Sequence, residues 1–398
     1  MTTLNDYREI APKGTIDVIE RIAERVKGRR FLHVSTTRYG GGVAEILNRL
    51  IPMLTELGID ASWEVITGNP LFYQATRALQ NGLQGAEPVM TEEMLEAYRV
   101  VNRDNAHRLP LEADLVLVHD PPPAALIGDR PASGRWVWRC HMDVSAPQRR
   151  IWNFLRRFVA RYDATVFSLP RFAPPLPVPQ YLVYPSIDPL ADKNRRLTRQ
   201  EVDLILDRLQ IPRDKPIVLQ VSRFDRFADP VGVINAFRLV RRHNDCRLVL
   251  AGGGAGDNPE GVAVLSDVRE VAGRDPDIHV LELPPEAHLE INAIQRAATV
   301  AVLKSVREGF GLGVAEAMWK GKPVIGGVAG GITAQIIHDV TGYVVHSPEG
   351  AAFWLRYLLN NPEAVSRLGG AAREHVRRNF LITRHLADYL TLLTRVVG

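Results

Sequence analysis

Cysteine is nearly absent from this chain of 398 residues, in which Cys140 and Cys246 are the only two. Both lie beside apolar, strand-like segments and neither shows metal-ligand spacing, which predicts buried free thiols and argues against a disulfide framework. Long hydrophobic runs are lacking too, since none reaches the ~18 residues that a membrane span needs. The N-terminus has no apolar core typical of a signal peptide, so we expect a cytoplasmic protein with no membrane partner.

Lysine is also scarce, and arginine supplies most of the 49 basic residues. The net charge of +4 is spread along the chain, which predicts a mild preference for anionic ligands and no nucleic-acid partner. Asp275 and Asp277 flank a proline as in a metal–diphosphate motif, although a proline-centred turn explains the pattern better. We expect no tightly bound cofactor, no resident metal in the site, and a dependence on Mg2+ that only an assay decides.

Short apolar runs alternate with helical patterns along the chain, which is typical of parallel βαβ units. A length of 398 residues exceeds the size of a single core. The proline-rich segment 171–196 is predicted to carry no regular core element, and a domain boundary is placed there. The sequence therefore predicts an α/β fold with two Rossmann-like, doubly wound domains facing a cleft, at 1–185 and 186–375, and a C-terminal helix at 376–398. Ligands are expected at the carboxyl ends of the strands.

A glycine-rich turn, Gly40–Gly42, follows the first predicted strand and opens a helix. Glycine lets a backbone approach a ligand closely and leaves helix amides free for a phosphate. The turn lacks the G-x-G-x-x-G spacing and the acidic residue of a dinucleotide site. A phosphate or sugar loop and a simple connecting turn are both open readings.

The strongest signal is the segment REGFGLGVAEAMWKGKPVIGG at 307–327. It predicts a loop and a short helix after a strand, with Gly309 and Gly311 allowing a tight turn that directs several amides at one spot. Glu308 precedes this turn, and Glu316 lies about one turn inside the helix. A carboxylate repels phosphate but accepts hydrogen bonds from vicinal hydroxyls, so a sugar and a ribose on either side of a diphosphate fit this pattern. Together they describe a nucleotide sugar.

Simpler readings of the same residues stay open at this point. Glu316 could be a solvated helix charge, and Glu308 a partner of the helix dipole. A pair of carboxylates is also the mark of glycosidases, but that mechanism does not call for a phosphate-type turn. Arg223 directly follows another strand and its guanidinium suits a diphosphate, with a solvated surface arginine as the alternative.

These motifs resemble those of retaining GT-B glycosyltransferases, which carry two glutamates eight residues apart. More narrowly, HVSTTRYGGGVAEIL, RCHMDVS, YPSIDPLADKN, NAIQRAA and the 307–327 segment are similar to those of the trehalose glycosyltransferring synthases. The resemblance covers nearly the whole chain. It implies a GT-B fold whose C-terminal helix crosses back to the first domain. It also implies reversible synthesis of α,α-trehalose from glucose and a nucleoside-diphosphate-glucose such as UDP-glucose or ADP-glucose.

The resemblance implies a role for each site residue. Glu308 would lie beside the transferred glucose, Glu316 would hold the ribose, and Arg223 would neutralise the diphosphate. The donor would also be bound by a set of turn and helix residues: Gly41, Gly42, Gly309, Phe310, Gly311 and Leu312. His141 would lie at the reacting centre, while His119 and Asp120 would line the acceptor pocket.

One position departs from the family pattern, which has a lysine five residues after Arg223 where this chain has Ala228. Loss of one positioned cation opposite a diphosphate costs on the order of 2.7–4 kcal/mol. Arg226 could substitute, the natural enzyme could differ, or the chain could be an engineered low-activity variant, which the choice of alanine favours. Alternative functions are another retaining glucosyltransferase, a trehalose phosphorylase, or a nucleotide-sugar binding protein. The sequence decides neither the nucleobase nor the direction of the reaction, and it leaves a homodimer as an option.

Overall fold

The computed structural model describes residues 2–39, 41–253 and 259–398. The strands of these residues are β1 (Arg30–Ser35), β2 (Asp60–Val65), β3 (Leu115–His119), β4 (Arg135–Arg139), β5 (Ala164–Phe167), β6 (Gln180–Leu182), β7 (Ile217–Val221), β8 (Arg247–Gly252), β9 (Ile278–Glu282), β10 (Val300–Leu303), β11 (Val324–Gly327) and β12 (Gly342–Val345). The helices are α1 (Thr15–Ala23), α2 (Gly41–Glu56), α3 (Pro70–Leu83), α4 (Glu92–Arg108), α5 (Arg149–Val159), α6 (Arg199–Arg208), α7 (Pro230–Arg241), α8 (Pro259–Ala272), α9 (His288–Ala297), α10 (Leu312–Trp319), α11 (Ile332–Gln335), α12 (Pro348–Asn360), α13 (Pro362–Asn379) and α14 (Ile382–Val397).

The strands form two parallel six-stranded sheets, which confirms the predicted α/β class and its two Rossmann-like halves. The first sheet has the order β2-β1-β3-β4-β5-β6, and the second has the order β12-β11-β10-β7-β8-β9. The direction of strand addition reverses between β1 and β3 in the first sheet and between β7 and β10 in the second. In open α/β sheets, ligands bind outside the carboxyl ends of the strands at such a switch point. We therefore expect site residues at the carboxyl ends of these two strand pairs.

The chain divides into two compact units. The first comprises Met1–Ser186 and Ile382–Gly398, and the second comprises Ile187–Leu381. The predicted boundary at 185/186 lies within one residue of this division. The predicted boundary at 375/376 falls inside α13, and the second unit runs on to Leu381.

The core of each unit forms because its strands are apolar on both faces and its helices cover them, as parallel sheets require. In the second unit, side chains of β7 and β8 such as Val218 and Leu248 pack with Phe237 of α7 and Leu355 of α12. In the first unit, α14 packs against α1 and α2. The buried face of α14 includes Leu386, Tyr389 and Leu390, among others.

The segment 171–196 was predicted to carry no regular core element, and the one strand inside it, β6, has no buried residue. This strand is three residues long and pairs only with β5, so it forms the edge of the first sheet. Proline is tolerated beside an edge strand because one side of that strand needs no ladder partner. The carbonyl of Pro179 still accepts a hydrogen bond from the Thr165 amide.

Among the described residues, no helix is both long enough and apolar enough to cross a bilayer.

Candidate active site

The loop that carries Glu308 connects β10 to α10 at the switch point of the second unit. It rests on the end of α11 and on the glycines before that helix. The Gly331 amide donates to the Gly309 carbonyl at 2.9 Å, and the Gln335 side-chain amide donates to the Phe310 carbonyl at 2.5 Å. A Cβ atom at Gly330 would lie 1.3 Å from the Glu308 carbonyl oxygen. This close approach fixes the backbone of the loop and permits only glycine at position 330.

Gly311 makes the turn into α10. Its φ of 80° lies in the left-handed region, whereas Gly309 does not have a positive φ. A Cβ atom at Gly311 would also approach the Glu308 Cγ to 3.1 Å. Helix α10 begins at Leu312 directly after this turn, so its first amide groups have no partner within the helix. The N-terminal dipole and these amides favour an anion at this point.

Glu308 is partly buried, and its carboxyl group is difficult to ionise. Burial first and the negative charge of Asp225 second raise the pKa of Glu308 to about 7, against the opposing effects of Arg223 and the amides of Gly309 and Gly311. Arg223 pairs with Asp225 at 3.3 Å, and 81% of its side chain is exposed. The structure thus brings Arg223 and Glu308 close enough to interact, with Asp225 as a third charge that sequence reasoning missed.

Glu316 lies one turn inside α10 and is 2% exposed. This burial rules out the solvated helix charge. Its Oε1 pairs with Lys193 Nζ at 3.1 Å, and its Oε2 accepts from the Gln295 amide at 3.3 Å. Burial alone would raise the pKa of Glu316, but the charges of Lys193 and Lys320 hold it below its usual value. Glu316 is therefore an ionised, oriented carboxylate.

Ala228 ends a short 3-10 turn after β7 and is buried. Its amide donates to the Asp225 Oδ1 at 2.9 Å, and its carbonyl accepts from the Gln220 side chain at 2.8 Å. Arg226, the suggested substitute for the missing lysine, pairs with Glu260 of α8. Both polar backbone groups at position 228 are thus engaged, and the nearby arginine is held by a carboxylate.

In the first unit, the predicted glycine turn follows β1, and its last two glycines belong to α2. Gly40 falls outside the described residues. Gly41 has a φ of 77° and opens α2, and Gly42 follows it in the helix. A Cβ atom at Gly41 would meet no atom within 4 Å, so backbone conformation, not crowding, is what requires glycine there.

His119, Asp120 and His141 come together at the carboxyl ends of β3 and β4. The Asp120 Oδ1 accepts from the His141 amide at 2.8 Å, and Asp120 has a φ of 65°. Nδ1 of His119 lies 3.0 Å from Nε2 of His141. Burial raises the pKa of Asp120 to about 6. This group lies beside the switch point of the first sheet.

The aspartates of the DPD sequence hold cations of the protein. Asp275 pairs with Arg241, and Asp277 pairs with Lys215, Arg241 and Arg247. The described part of the chain contains no group of three or more His, Cys, Asp or Glu residues that could hold a metal ion. Asp275 and Asp277 thus serve an ion-pair network at the amino end of β8 and β9.

Comparison with known proteins identifies the family. Residues 33–174 match the family described as "Trehalose synthase, N-terminal domain", and residues 202–375 match "Glycosyl transferases group 1". The chain is 45% identical to a trehalose synthase of Pyrococcus horikoshii over 99% of its own length and 97% of that protein. The chain belongs to the trehalose synthase family. It is a glycosyltransferase, as the sequence predicted.

Two more distant comparisons bear on the fold and on an alternative activity. A UDP-forming α,α-trehalose-phosphate synthase from Burkholderia xenovorans, solved with glucose-6-phosphate, superposes with a TM-score of 0.75 at 16% identity and covers 92% of this chain and 100% of that one. This likeness confirms the GT-B fold. A trehalose phosphorylase of Pleurotus pulmonarius is 28% identical over 94% of this chain but only 58% of the phosphorylase.

Several residues that shape the site of this trehalose synthase family member were not predicted. They are Asp225, Gly330, Gly331 and Gln335 around the Glu308 loop, and Lys193 beside Glu316. The glycine pair after β11 carried a signal, because adjacent glycines at a strand end often mark close backbone approach. Lys193 and Asp225 carried none, since only the folded chain shows which carboxylate or guanidinium they contact.

Proposed function

We propose that this chain is a retaining glucosyltransferase that makes α,α-trehalose from glucose and a nucleoside-diphosphate-glucose, in a reversible reaction. The observation that carries the proposal is the pair of carboxylates around the amino end of α10. Glu316 is ionised and held in place, whereas Glu308 is partly buried beside Arg223. Both lie at the switch point of the second sheet, where ligands of doubly wound folds bind. Family membership supports the same activity.

The donor would be bound by the second unit. The amino end of α10 and Arg223 would stabilise the diphosphate, with the ribose hydroxyls at Glu316 and the glucose hydroxyls at Glu308. The ion pair of Glu316 with Lys193 lowers the repulsion that a buried carboxylate would otherwise exert on the diphosphate. The amides of Phe310, Gly311 and Leu312 belong to the same turn, and Gly41 and Gly42 of the first unit would contribute further backbone groups to the phosphates.

The reaction breaks the bond between glucose C1 and the phosphate oxygen and forms one between C1 and the acceptor's anomeric oxygen. The bond breaks with oxocarbenium character, and the positive groups around the diphosphate stabilise the charge that develops there. The acceptor's proton passes to the leaving phosphate oxygen, so no separate general base is needed. His141 would lie at the reacting centre, and His119 and Asp120 would line the acceptor pocket. The proposal assigns no resident metal or cofactor to these steps.

Incubation with UDP-glucose or ADP-glucose and free glucose tests the proposal. We expect trehalose and free nucleoside diphosphate in equal amounts, and the reverse reaction from trehalose and the diphosphate. NMR of the product establishes the configuration at both anomeric carbons, and an added chelator tests the need for Mg2+. If neither this chain nor its Ala228→Lys variant forms trehalose from either donor, the proposal is refuted.

Trehalose phosphorylase is the second candidate, because phosphorylases are more distant relatives of this chain. Trehalose with inorganic phosphate would then yield glucose 1-phosphate, whereas a synthase needs the nucleoside diphosphate for cleavage.

A nucleotide-sugar binding protein is the third candidate, suggested by Ala228. Tight donor binding by calorimetry with no turnover in the Ala228→Lys variant would favour it.

A further inference from the structure

Three histidines form a line across one face of the first sheet. In the parallel register His33 of β1 pairs with Leu117 of β3, and His119 is the next residue on that face. His119 in turn pairs with Arg139 of β4, and His141 follows Arg139 by two residues. Each step to the neighbouring strand therefore moves two residues toward the carboxyl ends. The line runs from the core of the sheet to the candidate acceptor region.

The imidazole rings are in direct contact along this line. Nδ1 of His33 lies 3.0 Å from Nε2 of His119, and Nδ1 of His119 lies 3.0 Å from Nε2 of His141. The planes of both ring pairs are nearly parallel, at 20° and 17°, with centroids 5.3 Å apart, so neighbouring rings meet edge to edge. Both nitrogen separations are hydrogen-bond distances.

All three rings are neutral at ordinary pH. Burial lowers the pKa of His33 to about 3, and it lowers the pKa values of His119 and His141 well below their usual value. The buried guanidinium of Arg139 adds to this effect at His119 and His141, because a nearby positive charge disfavours imidazolium. Helix α14 also contributes, because the charge of its residue His385 lowers the pKa of His141.

A neutral imidazole has one donor and one acceptor nitrogen, so two successive contacts must share one polarity. If the donors point inward, His33 carries its proton on Nε2. That atom is buried and has no partner among the described residues, and orphaned buried N–H groups are rare. If the donors point outward, His33 Nε2 is only an unused acceptor, and all three rings are protonated on Nδ1.

The outward polarity gives His141 a defined role. We propose that His33 and His119 are positioning residues that hold His141 as its Nδ1–H tautomer, with that N–H offered to an oxygen of the bound substrate. Nδ1 of His141 has no hydrogen-bond partner in the described part of the chain and is not buried. Free imidazole side chains favour the opposite tautomer, Nε2–H, so the line of histidines imposes this choice. The identity of the accepting oxygen, a sugar hydroxyl or a phosphate oxygen, rests on the proposed function.

Tautomers can be measured without turnover. In protein labelled with 15N-histidine, long-range proton–nitrogen correlation spectra distinguish Nδ1–H from Nε2–H, and single histidine substitutions assign the signals. We expect His33, His119 and His141 all as neutral Nδ1–H rings at neutral pH. Detection of His141 as Nε2–H, or as imidazolium, would overturn the proposal.

A matched pair of substitutions at His119 tests whether the line controls His141. His119→Leu removes the group that donates to Nε2 of His141, whereas His119→Asn keeps an N–H near the position of Nδ1. We expect His141 of the leucine variant to populate the Nε2–H tautomer, and His141 of the asparagine variant to keep more of the Nδ1–H tautomer. His375→Leu, at a histidine of the second unit, is the control and should leave the His141 signals unchanged. A His141 signal that stays wholly Nδ1–H in His119→Leu contradicts the positioning role.

Kinetics supply the second readout. The loss of one oriented hydrogen bond in the transition state should lower kcat about tenfold in His119→Leu, with a smaller loss in His119→Asn. Equal losses in both variants, matched by equal losses of thermal stability, would show a merely structural role. If neither the unmodified protein nor any variant makes trehalose, the proposed function fails. The tautomer measurement still decides this inference in that case.

Discussion

Replacement of Glu308 by glutamine tests the central carboxylate of the proposed donor site. The side chain lies partly buried near Asp225 and Arg223, and its pKa is raised to about 7 by burial first and by Asp225 second. In the proposed mechanism the ionised form accepts hydrogen bonds from the glucose hydroxyls. Activity of the free enzyme should therefore depend on the fraction of Glu308 that is ionised.

The size of the effect follows from that pKa. With a pKa of about 7, roughly one carboxyl in ten is ionised at pH 6, so kcat/KM should lie about tenfold below its high-pH plateau. Glu308→Gln should abolish this acid limb. It should also lower the plateau by about 10- to 100-fold, because a hydrogen bond to a charged group contributes about 1.5–3 kcal/mol.

The assay is kcat/KM for the nucleotide sugar from pH 5 to pH 9 in both proteins. Glu316→Gln is the matched control: the pKa of Glu316 is lowered, so this variant should lose affinity but keep the acid limb. Stability gives an independent readout. The raised pKa of Glu308 stabilises the fold at low pH, and this contribution is lost as the pH rises through about 7, so Glu308→Gln should gain stability relative to the parent over that range. An acid limb near pH 7 that persists in Glu308→Gln refutes the reasoning.

Three further predictions concern other parts of the second unit. Asp277→Ala leaves three cations near the amino end of β8 without their shared carboxylate, so urea unfolding should show a loss of about 3–5 kcal/mol. Ala228→Lys should raise kcat by about 10²–10³-fold if the missing cation limits catalysis, and unchanged turnover would contradict this idea. Gly330→Ala places a Cβ atom against the Glu308 carbonyl, so activity should fall sharply in steady-state assays. Gly370→Ala is the control, because a Cβ atom there would meet no atom within 4 Å.

The sequence predicted the fold well because each strand is marked locally. Runs such as LVLV of β3, LVLAG of β8 and VAVL of β10 are apolar, as strands covered on both faces must be. The signals that failed were weak for physical reasons. β6 is short, lies at a sheet edge and follows prolines, so its composition resembles a loop. The end of the second unit was misplaced because α13 and α14 are separated by only two residues, Phe380 and Leu381.

Only those features of the site that depend on neighbouring residues in the sequence could be predicted. The turn at Gly311 and the helix that buries Glu316 could be predicted from glycine and carboxylate spacing. The environment of those carboxylates could not, because Lys193 reaches Glu316 from a segment more than a hundred residues earlier. The contact of His33 with His119 likewise depends on strand order and register, which one sequence does not reveal.

Asp225 connects the features of the donor site that local sequence left unexplained. Its Oδ1 accepts from the Ala228 amide, while its Oδ2 pairs with Arg223 and its charge raises the pKa of Glu308. This carboxylate therefore opposes ionisation of the glutamate, and in the proposed function, with no lysine at position 228, it would compete with the diphosphate for the arginine. Asp225→Asn keeps an oxygen for the Ala228 amide but removes the charge, so the acid limb of kcat/KM should move to lower pH and donor affinity should rise. A limb that stays in place would mean that burial alone, without Asp225, holds Glu308 neutral.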